Sequence, residues 1–222
     1  MQVMPERLAG LAHRTLACMR TPSSPPARPA APRASAPRAA GQIRIIGGQW
    51  RRTPIPVPDR PGLRPTPDRV RETLFNWLGQ DLTGWRCVDA FAGTGALGLE
   101  AASRGAAQVL ALEQSPELVQ ALRRLGERLQ AQALQVQRGD ALAAMQALPA
   151  ASFDLVFLDP PFEGPWFEPA LQAATRLVPV GGWVYLEAPE PWGQAQLSPL
   201  GLALQRQLRA GAVHAHLLQR VA

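Results

Sequence analysis

The chain has 222 residues, of which 46% are hydrophobic and 18% are charged, and its formal net charge is +6. This length fits one α/β domain with short additions. No apolar run approaches the roughly 20 residues that span a bilayer, which excludes an integral membrane protein. Cys18 and Cys87 are too few for a disulfide framework or a zinc site. We therefore expect a cytoplasmic protein that binds no metal.

The positive charge is concentrated near the N-terminus. All 23 basic residues are arginine, a compositional bias that weakens any conclusion from the high isoelectric point alone. Residues 42–72 hold seven arginines against three acids, whereas residues 73–222 hold ten arginines against thirteen acids. A negatively charged partner such as nucleic acid is therefore expected to meet the N-terminal third.

Residues 1–41 are rich in Pro, Ala, Arg and Ser. Such a segment cannot bury enough apolar surface to order itself. We predict a disordered basic tail that adds non-specific affinity for RNA. An organellar transit peptide and a start site placed too early are alternative explanations of the same composition.

Residues 42–79 predict a β-hairpin followed by a helix, both expected to face a negatively charged partner such as nucleic acid. Ile43–Ile46 and Gln49–Arg52 form the predicted strands around the turn Gly47-Gly48. A proline-rich extended connection over residues 53–61 follows.

The helix is predicted to begin near Thr66, which serves as N-cap, with Pro67 at the first helical position and Asp68 in the first turn. Its apolar face, at helical spacing, consists of Val70, Leu74, Trp77 and Leu78. The residues predicted to lie off this face are Arg69, Arg71 and Glu72.

Strands and helices alternate from Trp85 onward. The predicted strands are Cys87–Phe91, Gln108–Leu112, Leu134–Gln137, Phe153–Leu158 and Trp183–Glu187. The predicted helices are Ala96–Arg104, Pro116–Ala131, Ala141–Leu148 and Trp166–Leu177. This alternation indicates a parallel sheet with helices on both faces, and an antiparallel hairpin follows at Leu202–Arg209 and Ala212–Arg220. The pattern predicts an α/β protein with a seven-stranded, mostly parallel sheet, the Rossmann-like class I methyltransferase fold, over residues 80–222.

A glycine-rich turn follows the first of these strands. Gly93-Thr-Gly95-Ala-Leu-Gly98 matches G-x-G-x-x-G and opens a helix, so its backbone can approach a ligand closely. Glu113 follows the next strand, where a carboxylate can accept hydrogen bonds from both ribose hydroxyls. NAD and S-adenosylmethionine both present such a ribose, and a tight turn without any ligand also fits.

Two further acids favour S-adenosylmethionine. Asp89 stands four residues before Gly93, where it can meet the ammonium group of a methionine moiety and would repel a pyrophosphate. Asp140 follows the third strand and can accept from an adenine amino group, while backbone N–H groups near Ala141 read the ring edge. Asp140 fits a plain helix N-cap equally well. Phe91, between Asp89 and the glycines, completes the predicted cofactor-binding set.

The four residues Asp159-Pro160-Pro161-Phe162 follow an apolar strand and form the predicted catalytic set. An exocyclic amine is a poor nucleophile because its lone pair is conjugated into the ring. The Asp159 carboxylate and the Pro160 carbonyl can each accept a hydrogen bond from one of its two N–H groups, which favours a pyramidal nitrogen. The prolines stiffen the turn, and Phe162 can stack on a base. Guanine, adenine and an amide side chain all fit this arrangement, as does a plain acid and proline turn after a strand.

Five segments together resemble the RsmD family, bacterial 16S ribosomal RNA guanine-N2 methyltransferases that use S-adenosylmethionine. They are Arg44–Arg51 (RIIGGQWR), Gly62–Thr66 (GLRPT), Asp68–Leu78 (DRVRETLFNWL), Asp89–Glu100 (DAFAGTGALGLE) and Asp159–Phe162 (DPPF). The similarity spans about residues 43–220. It implies transfer of one methyl group to a guanine of 16S rRNA on an assembling 30S particle. We expect the protein to be a monomer.

The resemblance also assigns roles by position. The guanine is handled by Asp159, Pro160 and Phe162. The cofactor is held by Asp89, Gly93, Gly95, Glu113 and Asp140, and by Arg64 and Thr66, which precede a helix whose N-terminus can approach the cofactor carboxylate. The candidate phosphate contacts are Arg44, Arg51, Arg52 and Arg69. Each of these arginines also fits a solvated surface charge.

Four other functions fit parts of the sequence. Adenine-N6 and glutamine-N5 methyltransferases carry a similar four-residue motif, usually with Asn first or Tyr last, and lack the segment Arg44–Leu78. An NAD-dependent oxidoreductase shares the glycine turn but needs a His or a Tyr/Lys set for hydride transfer. The chain has no lysine, one tyrosine at position 185, and histidines at 13, 214 and 216. A non-catalytic RNA-binding protein is disfavoured by the intact Asp159 and Glu113.

Overall fold

The computed structural model describes residues 41–60 and 65–222. The predicted tail lies outside the described residues except for Gly41, which begins the first strand. Arg64 also lies outside them. Within the two described ranges, no helix is long and apolar enough to cross a membrane.

The elements alternate as the sequence predicts. The strands are β1 (Gly41–Arg44), β2 (Pro54–Val57), β3 (Arg86–Asp89), β4 (Gln108–Glu113), β5 (Leu134–Arg138), β6 (Leu155–Leu158), β7 (Trp183–Ala188), β8 (Leu202–Ala210) and β9 (Val213–Arg220). The helices are α1 (Asp68–Leu78), α2 (Ala96–Ser103), α3 (Pro116–Leu129), α4 (Ala141–Ala147), α5 (Phe167–Leu177) and α6 (Gln194–Leu197), followed by a 3₁₀ turn at Ser198–Leu200.

Seven strands form one sheet in the order β5-β4-β3-β6-β7-β9-β8. β3 pairs in parallel with β4 and with β6, and β6 pairs in parallel with β7. β9 runs antiparallel between β7 and β8. The predicted fold class is therefore confirmed. From β3 the chain adds β4 and β5 on one side of the sheet and then β6 and β7 on the other side, so the strand order reverses between β3 and β6. Ligands are expected in the crevice at the carboxyl ends of these two strands.

The N-terminal hairpin pairs other residues than those predicted. Ile43 pairs with Ile55, and Arg44 pairs with Pro54. The second strand is therefore Pro54–Val57, and the prediction of Gln49–Arg52 is wrong. Prolines are tolerated in this strand because a two-stranded ribbon has only edge strands, where a missing N–H leaves no ladder bond unmade.

The loop around Gly47-Gly48 is held against α2. The N–H of Gly47 donates to Glu100 Oε1 over 2.7 Å, and the N–H of Trp50 donates to Ser103 Oγ over 2.9 Å. Gly48 has a φ of 72°, and a Cβ there would lie 1.8 Å from the carbonyl oxygen of Ser103. The glycines therefore permit close packing on the end of α2 and do not form a two-residue hairpin turn.

α1 begins one residue later than predicted. Pro67 is its N-cap, and no side chain caps the helix. The prediction of Thr66 as N-cap is wrong because the Thr66 side chain is buried and its hydroxyl is directed at Asp159. The acid in the first turn, Asp68, is confirmed.

The prediction that Arg71 lies off the buried face of α1 is wrong, because its side chain is fully buried. Its Nη1 lies 3.4 Å from Oε2 of Glu100, and Nη2 of Arg104 lies 2.8 Å from Oε1 of the same carboxylate. Arg71 also donates to the carbonyls of Thr66 (3.2 Å) and Arg44 (2.8 Å). A buried charge needs such partners, and these bonds tie β1 and the start of α1 to α2.

Residues 42–79 share the core of the remaining chain. Ile45 and Ile55 of the hairpin region pack in one cluster with Leu99 and Leu122. The buried face of α1 packs in a second cluster with β3, β6, β7 and β9. That face consists of Val70, Leu74 and Leu78, as predicted, together with Phe75, while Trp77 is half-buried.

Candidate active site

The glycine turn has the backbone that its sequence predicts. Gly93 and Gly95 have φ values of 53° and 79°, and a Cβ on Gly95 would lie 2.4 Å from Cδ1 of Leu122. Glu113 reaches the turn from the end of β4, where its Oε2 accepts from the N–H of Gly93 over 2.8 Å. Its Oε1 accepts from the N–H of Ser115 over 2.7 Å. The carboxylate is half-exposed and has further lone pairs for a ligand.

Asp89 ends β3 and is buried. Its Oδ2 accepts from the N–H of Gly98 over 2.8 Å. Burial raises the pKa of Asp89 to about 7, the charges of Glu113 and Glu187 add to the rise, and the Gly98 hydrogen bond opposes it. A buried acid with acidic neighbours is best satisfied by a cationic ligand. The nearby ring of Phe91 is half-buried against the main core cluster.

Asp140 caps α4, and its Oδ1 accepts from the N–H of Ala143 over 2.9 Å. The N-cap alternative is therefore confirmed. The Asp140 side chain is exposed and Ala141 is half-buried. Contacts of these two residues with an adenine ring stay a prediction.

The predicted catalytic residues leave the sheet together at the end of β6. Asp159 is half-buried and Pro160 is buried, whereas Pro161 is exposed. Phe162 is exposed by 38%, an unusual position for a large aromatic ring. Its face is available for stacking on a base.

Asp159 is held by a residue from the N-terminal part of the chain. The Thr66 hydroxyl donates to Oδ2 of Asp159 over 3.5 Å. Burial raises the pKa of Asp159 well above its ordinary value, with the charges of Glu187 and Asp89 adding to the rise and the Thr66 hydrogen bond opposing it. Thr66 thus lies beside the predicted catalytic acid, while its predicted contact with a cofactor stays untested.

Glu187 is a site residue that the sequence reasoning missed. It lies in β7, is 2% exposed, and its Oε1 accepts from the Tyr185 hydroxyl over 2.8 Å. The sequence places this acid at the end of the predicted strand Trp183–Glu187, next to the strand that ends before Asp159 in a parallel sheet. The expected pairing of these two strands is the signal in the sequence that could have identified Glu187. Among the residues that the structure describes, no His, Cys, Asp and Glu side chains are grouped for a metal ion.

The four arginines predicted to contact RNA are exposed. Arg44 ends β1, and Arg69 lies in the first turn of α1. Arg51 and Arg52 belong to the loop held by Ser103, at the far end of α2 from the glycine turn. Arg52 also lies close to Arg44, because its N–H donates to the carbonyl of Ile45 over 2.7 Å.

The chain is similar to known proteins over most of its length. A family model described as conserved hypothetical protein 95 matches residues 43–219. Ribosomal RNA small subunit methyltransferase D of Escherichia coli strain K12 is 42% identical over 189 residues, which cover 82% of this chain and 92% of the relative. The protein of the same name from Haemophilus influenzae is 44% identical over 146 residues, which cover 64% of this chain and 73% of the relative.

The chain is also similar to solved structures over most of its length. The Escherichia coli protein yhhF, a candidate methyltransferase, superimposes with a TM-score of 0.70 at 37% identity, over 82% of this chain and 99% of that one. A precorrin-6y C5,15-methyltransferase from Geobacter metallireducens, at 17% identity and a TM-score of 0.58, shares the fold. By the family model and the curated relatives, this chain belongs to the RsmD family, the family of conserved hypothetical protein 95.

Proposed function

We propose that this protein transfers a methyl group from S-adenosylmethionine to the exocyclic N2 of a guanine in 16S ribosomal RNA. The observation that carries the proposal is the meeting of Asp159 and the exposed Phe162 with the glycine turn at one edge of the sheet. The names of the relatives, small subunit ribosomal RNA methyltransferases, support the substrate class.

The charge of the crevice supports the choice of cofactor. Asp89 and Glu187 are buried acids and Asp159 is half-buried. After burial, the charges of Glu187 and Asp89 raise the pKa of Asp159, and the charges of Glu113 and Glu187 raise that of Asp89. Such a site favours a ligand with positive charge and repels a pyrophosphate, which argues against the NAD-dependent oxidoreductase. S-adenosylmethionine carries an ammonium and a sulfonium group, and when bound it supplies an electrophilic methyl group.

Several residues are suited to hold this cofactor. Asp89 would attract its ammonium group, and Glu113, already hydrogen-bonded to Gly93, would accept from the ribose hydroxyls. Asp140 would accept from the adenine amino group with the Oδ2 that the helix cap leaves free. The positive φ of Gly93 and Gly95 keeps the backbone close to the ligand.

The guanine would be held by the turn after β6. The Asp159 carboxylate and the Pro160 carbonyl would each accept a hydrogen bond from one N–H group of N2. Phe162 would stack on the base, and this stacking would stabilise the bound base by about 1–3 kcal/mol. The orientation of the base and these preorganised acceptors would then account for most of the acceleration of methyl transfer, without a covalent intermediate. Neither Asp159 nor Phe162 needs a metal for this role.

The RNA would cross the surface that carries Arg44 and Arg69, beside the start of α1. Arg51 and Arg52 would contact further phosphates, which suits a large structured substrate such as an assembling 30S particle. We propose that the protein works as a monomer in the cytoplasm.

The proposal is tested with 30S particles from a strain that lacks this protein. Mass mapping of nucleosides is expected to show the loss of one N2-methylguanine from 16S rRNA. Purified protein with S-adenosylmethionine should restore it on the particles, and particles from the parent strain serve as the control. Methylation of an adenine or of a protein glutamine would support the alternative methyltransferases, and unchanged rRNA would reject the proposal.

A further inference from the structure

Thr66 does not use its hydroxyl to cap the helix that follows it. The N-cap of α1 is Pro67, and no side-chain hydrogen bond caps this helix. Thr66 is buried, with 3% of its surface exposed. Its Oγ1 lies 3.5 Å from Oδ2 of Asp159, a residue 93 positions later in the chain. The hydroxyl is therefore turned away from the local backbone and toward the predicted catalytic acid.

This contact divides the work of the two oxygens of Asp159. A threonine hydroxyl has one proton to donate, and an ionised carboxylate only accepts, so Thr66 is the donor. The distance is long for such a bond, and hydrogen bonds of this kind often shorten when a substrate binds. Oδ1 of Asp159 accepts no hydrogen bond from the residues that the structure describes. It is the oxygen that can accept from a base.

Thr66 is itself fixed through its backbone. Nε of Arg71 donates to the carbonyl of Thr66 over 3.2 Å, and Nη2 donates to the carbonyl of Arg44 at the end of β1 over 2.8 Å. Nη1 of the same group lies 3.4 Å from Oε2 of Glu100. Because a guanidinium group is planar and rigid, these bonds hold β1, Thr66 and α2 in one arrangement. The hydroxyl is thus presented to Asp159 from a fixed position.

The groups that face Asp159 come from several elements. Burial raises the pKa of Asp159, the charges of Glu187 on β7 and Asp89 on β3 add to the rise, and the Thr66 hydrogen bond lowers it. Tyr185, also on β7, donates its hydroxyl to Glu187 Oε1 over 2.8 Å. A hydrogen bond to the ionised form favours that form. Thr66 therefore opposes the acidic neighbours and supports the state of Asp159 that accepts from an N–H group.

We propose that Thr66 is a positioning residue for Asp159, whose Oδ2 it holds so that Oδ1 is presented to the N2 of guanine. The inference deepens the proposed function and rests on it for its chemistry. It also moves Thr66 from the cofactor to the base. The resemblance to the RsmD family implies that Thr66 helps to hold the cofactor, but its only hydroxyl proton is directed at Asp159.

The role of Thr66 is separable from that of Asp159. Without the hydroxyl, the carboxylate of Asp159 keeps its charge but is free to rotate, so N2 is oriented less well toward the methyl group. Poor orientation of reacting atoms lowers the rate. The carboxylate also holds its proton more strongly, and its ionised form is then lost at a higher pH.

The first test needs neither cofactor nor RNA. In the full chain with ¹³C-labelled carboxyl groups, NMR follows the titration of Asp159. Thr66→Val keeps the size of the side chain but removes the donor, so this titration is expected to move to higher pH. Thr66→Ser keeps a hydroxyl and should titrate close to the wild type. Thr73→Val is the matched control, because the Thr73 hydroxyl donates to the Arg69 carbonyl within α1 over 2.9 Å, and it should leave the titration of Asp159 unchanged.

The second test is methylation of 30S particles as a function of pH. Thr66→Val should lower kcat about 10- to 100-fold and move the acidic limb of its pH profile to higher pH, and Thr66→Ser should recover most of the lost rate. Affinity for S-adenosylmethionine, measured by calorimetry, should stay within about threefold. A merely structural role would lower the rate or the stability without moving the limb. If Thr66→Val does not fold, Thr66→Ala removes the same hydroxyl from a smaller side chain and carries the same expectations.

The outcomes separate the two proposals. An Asp159 titration that is the same with and without the Thr66 hydroxyl overturns the positioning role whatever the enzyme does. A larger loss of affinity for S-adenosylmethionine in Thr66→Val returns Thr66 to the cofactor and also overturns it. A wild-type protein that methylates no guanine overturns the proposed function, while the NMR titration still decides whether Thr66 holds Asp159. A shifted titration together with a shifted acidic limb supports both.

Discussion

Arg71 and Glu100 form an ion pair in which both side chains are fully buried, with Nη1 of Arg71 3.4 Å from Oε2 of Glu100. The pair joins the helix before the sheet to the helix that follows the glycine turn. Through the carbonyl of Thr66, Arg71 also fixes the residue that donates to Asp159. The geometry of the candidate site therefore depends on an interaction that lies outside it.

Replacing Arg71 by Met should lower the free energy of unfolding by about 3–5 kcal/mol, because it leaves part of the buried charge of Glu100 without its partner. Urea denaturation would measure the change. The matched control is Arg69→Met, an exposed arginine on the same helix, which should change stability by at most about 0.5 kcal/mol. Equal losses in the two variants would contradict the structural role of the buried pair.

Asp159→Ala should abolish methyl transfer, with a loss of at least about 10²–10³-fold, because it removes an acceptor that stabilises charge on N2. Affinity for S-adenosylmethionine, measured by calorimetry, should stay within about threefold, since Asp159 acts on the base. Glu163→Gln, an exposed acid four residues later, is the control. Full activity of Asp159→Ala would reject the proposed mechanism.

The stability of the ligand-free protein should fall as the pH rises from about 4 to about 7. The pKa of Asp89 is raised from its ordinary value of 3.8 to about 7, so in this window the folded state binds a proton that the unfolded chain has released. Asp89→Asn can still accept from Gly98 and should make the free energy of unfolding less dependent on pH. Urea denaturation at several pH values measures it. Parallel pH curves for the two proteins would refute the role of Asp89.

Reversing the charges of Arg51 and Arg52 to Glu should weaken RNA binding and flatten its dependence on salt. The slope of log K against log salt should decrease by about one for each phosphate that the protein no longer neutralises. Filter binding or fluorescence titration at several salt concentrations measures this. Reversing both Arg123 and Arg124 on α3, which are exposed, to Glu is the control, because it changes the net charge by the same amount. Unchanged binding by the double variant would show that the loop does not bind RNA.

The sheet could be predicted from the sequence because its strands are short apolar runs between turn residues. Phe153–Leu158 and Gln108–Leu112 illustrate this, since both lie in the sheet with shifts of at most two residues at their ends. Pro54–Val57 could not be predicted because two prolines in four residues contradict the usual composition of a strand. Pairing at an edge, which no local pattern shows, makes those prolines harmless.

The predicted site is incomplete where side chains act through long-range contacts. A charge on a helix normally faces solvent, and only Glu100, 29 residues later, explains the burial of Arg71. The local sequence of Thr66 suits an N-cap, but its partner Asp159 is 93 residues away. Glu187 ends a predicted strand, and nothing in its local sequence marks it as a site residue. The register of two strands is what makes it a neighbour of Asp159.

The interactions of the Gly47-Gly48 loop have a consequence for the order of folding. Its partners, Glu100 and Ser103, are synthesised 53 to 56 residues later. The first described strand therefore leaves the ribosome long before the helix that holds it exists. Contacts between such distant residues form late, and domains fold as units once their partners are present. The loop closes onto α2 only after the chain has grown past Ser103, whereas the pairing of β1 with β2 is local and does not depend on α2.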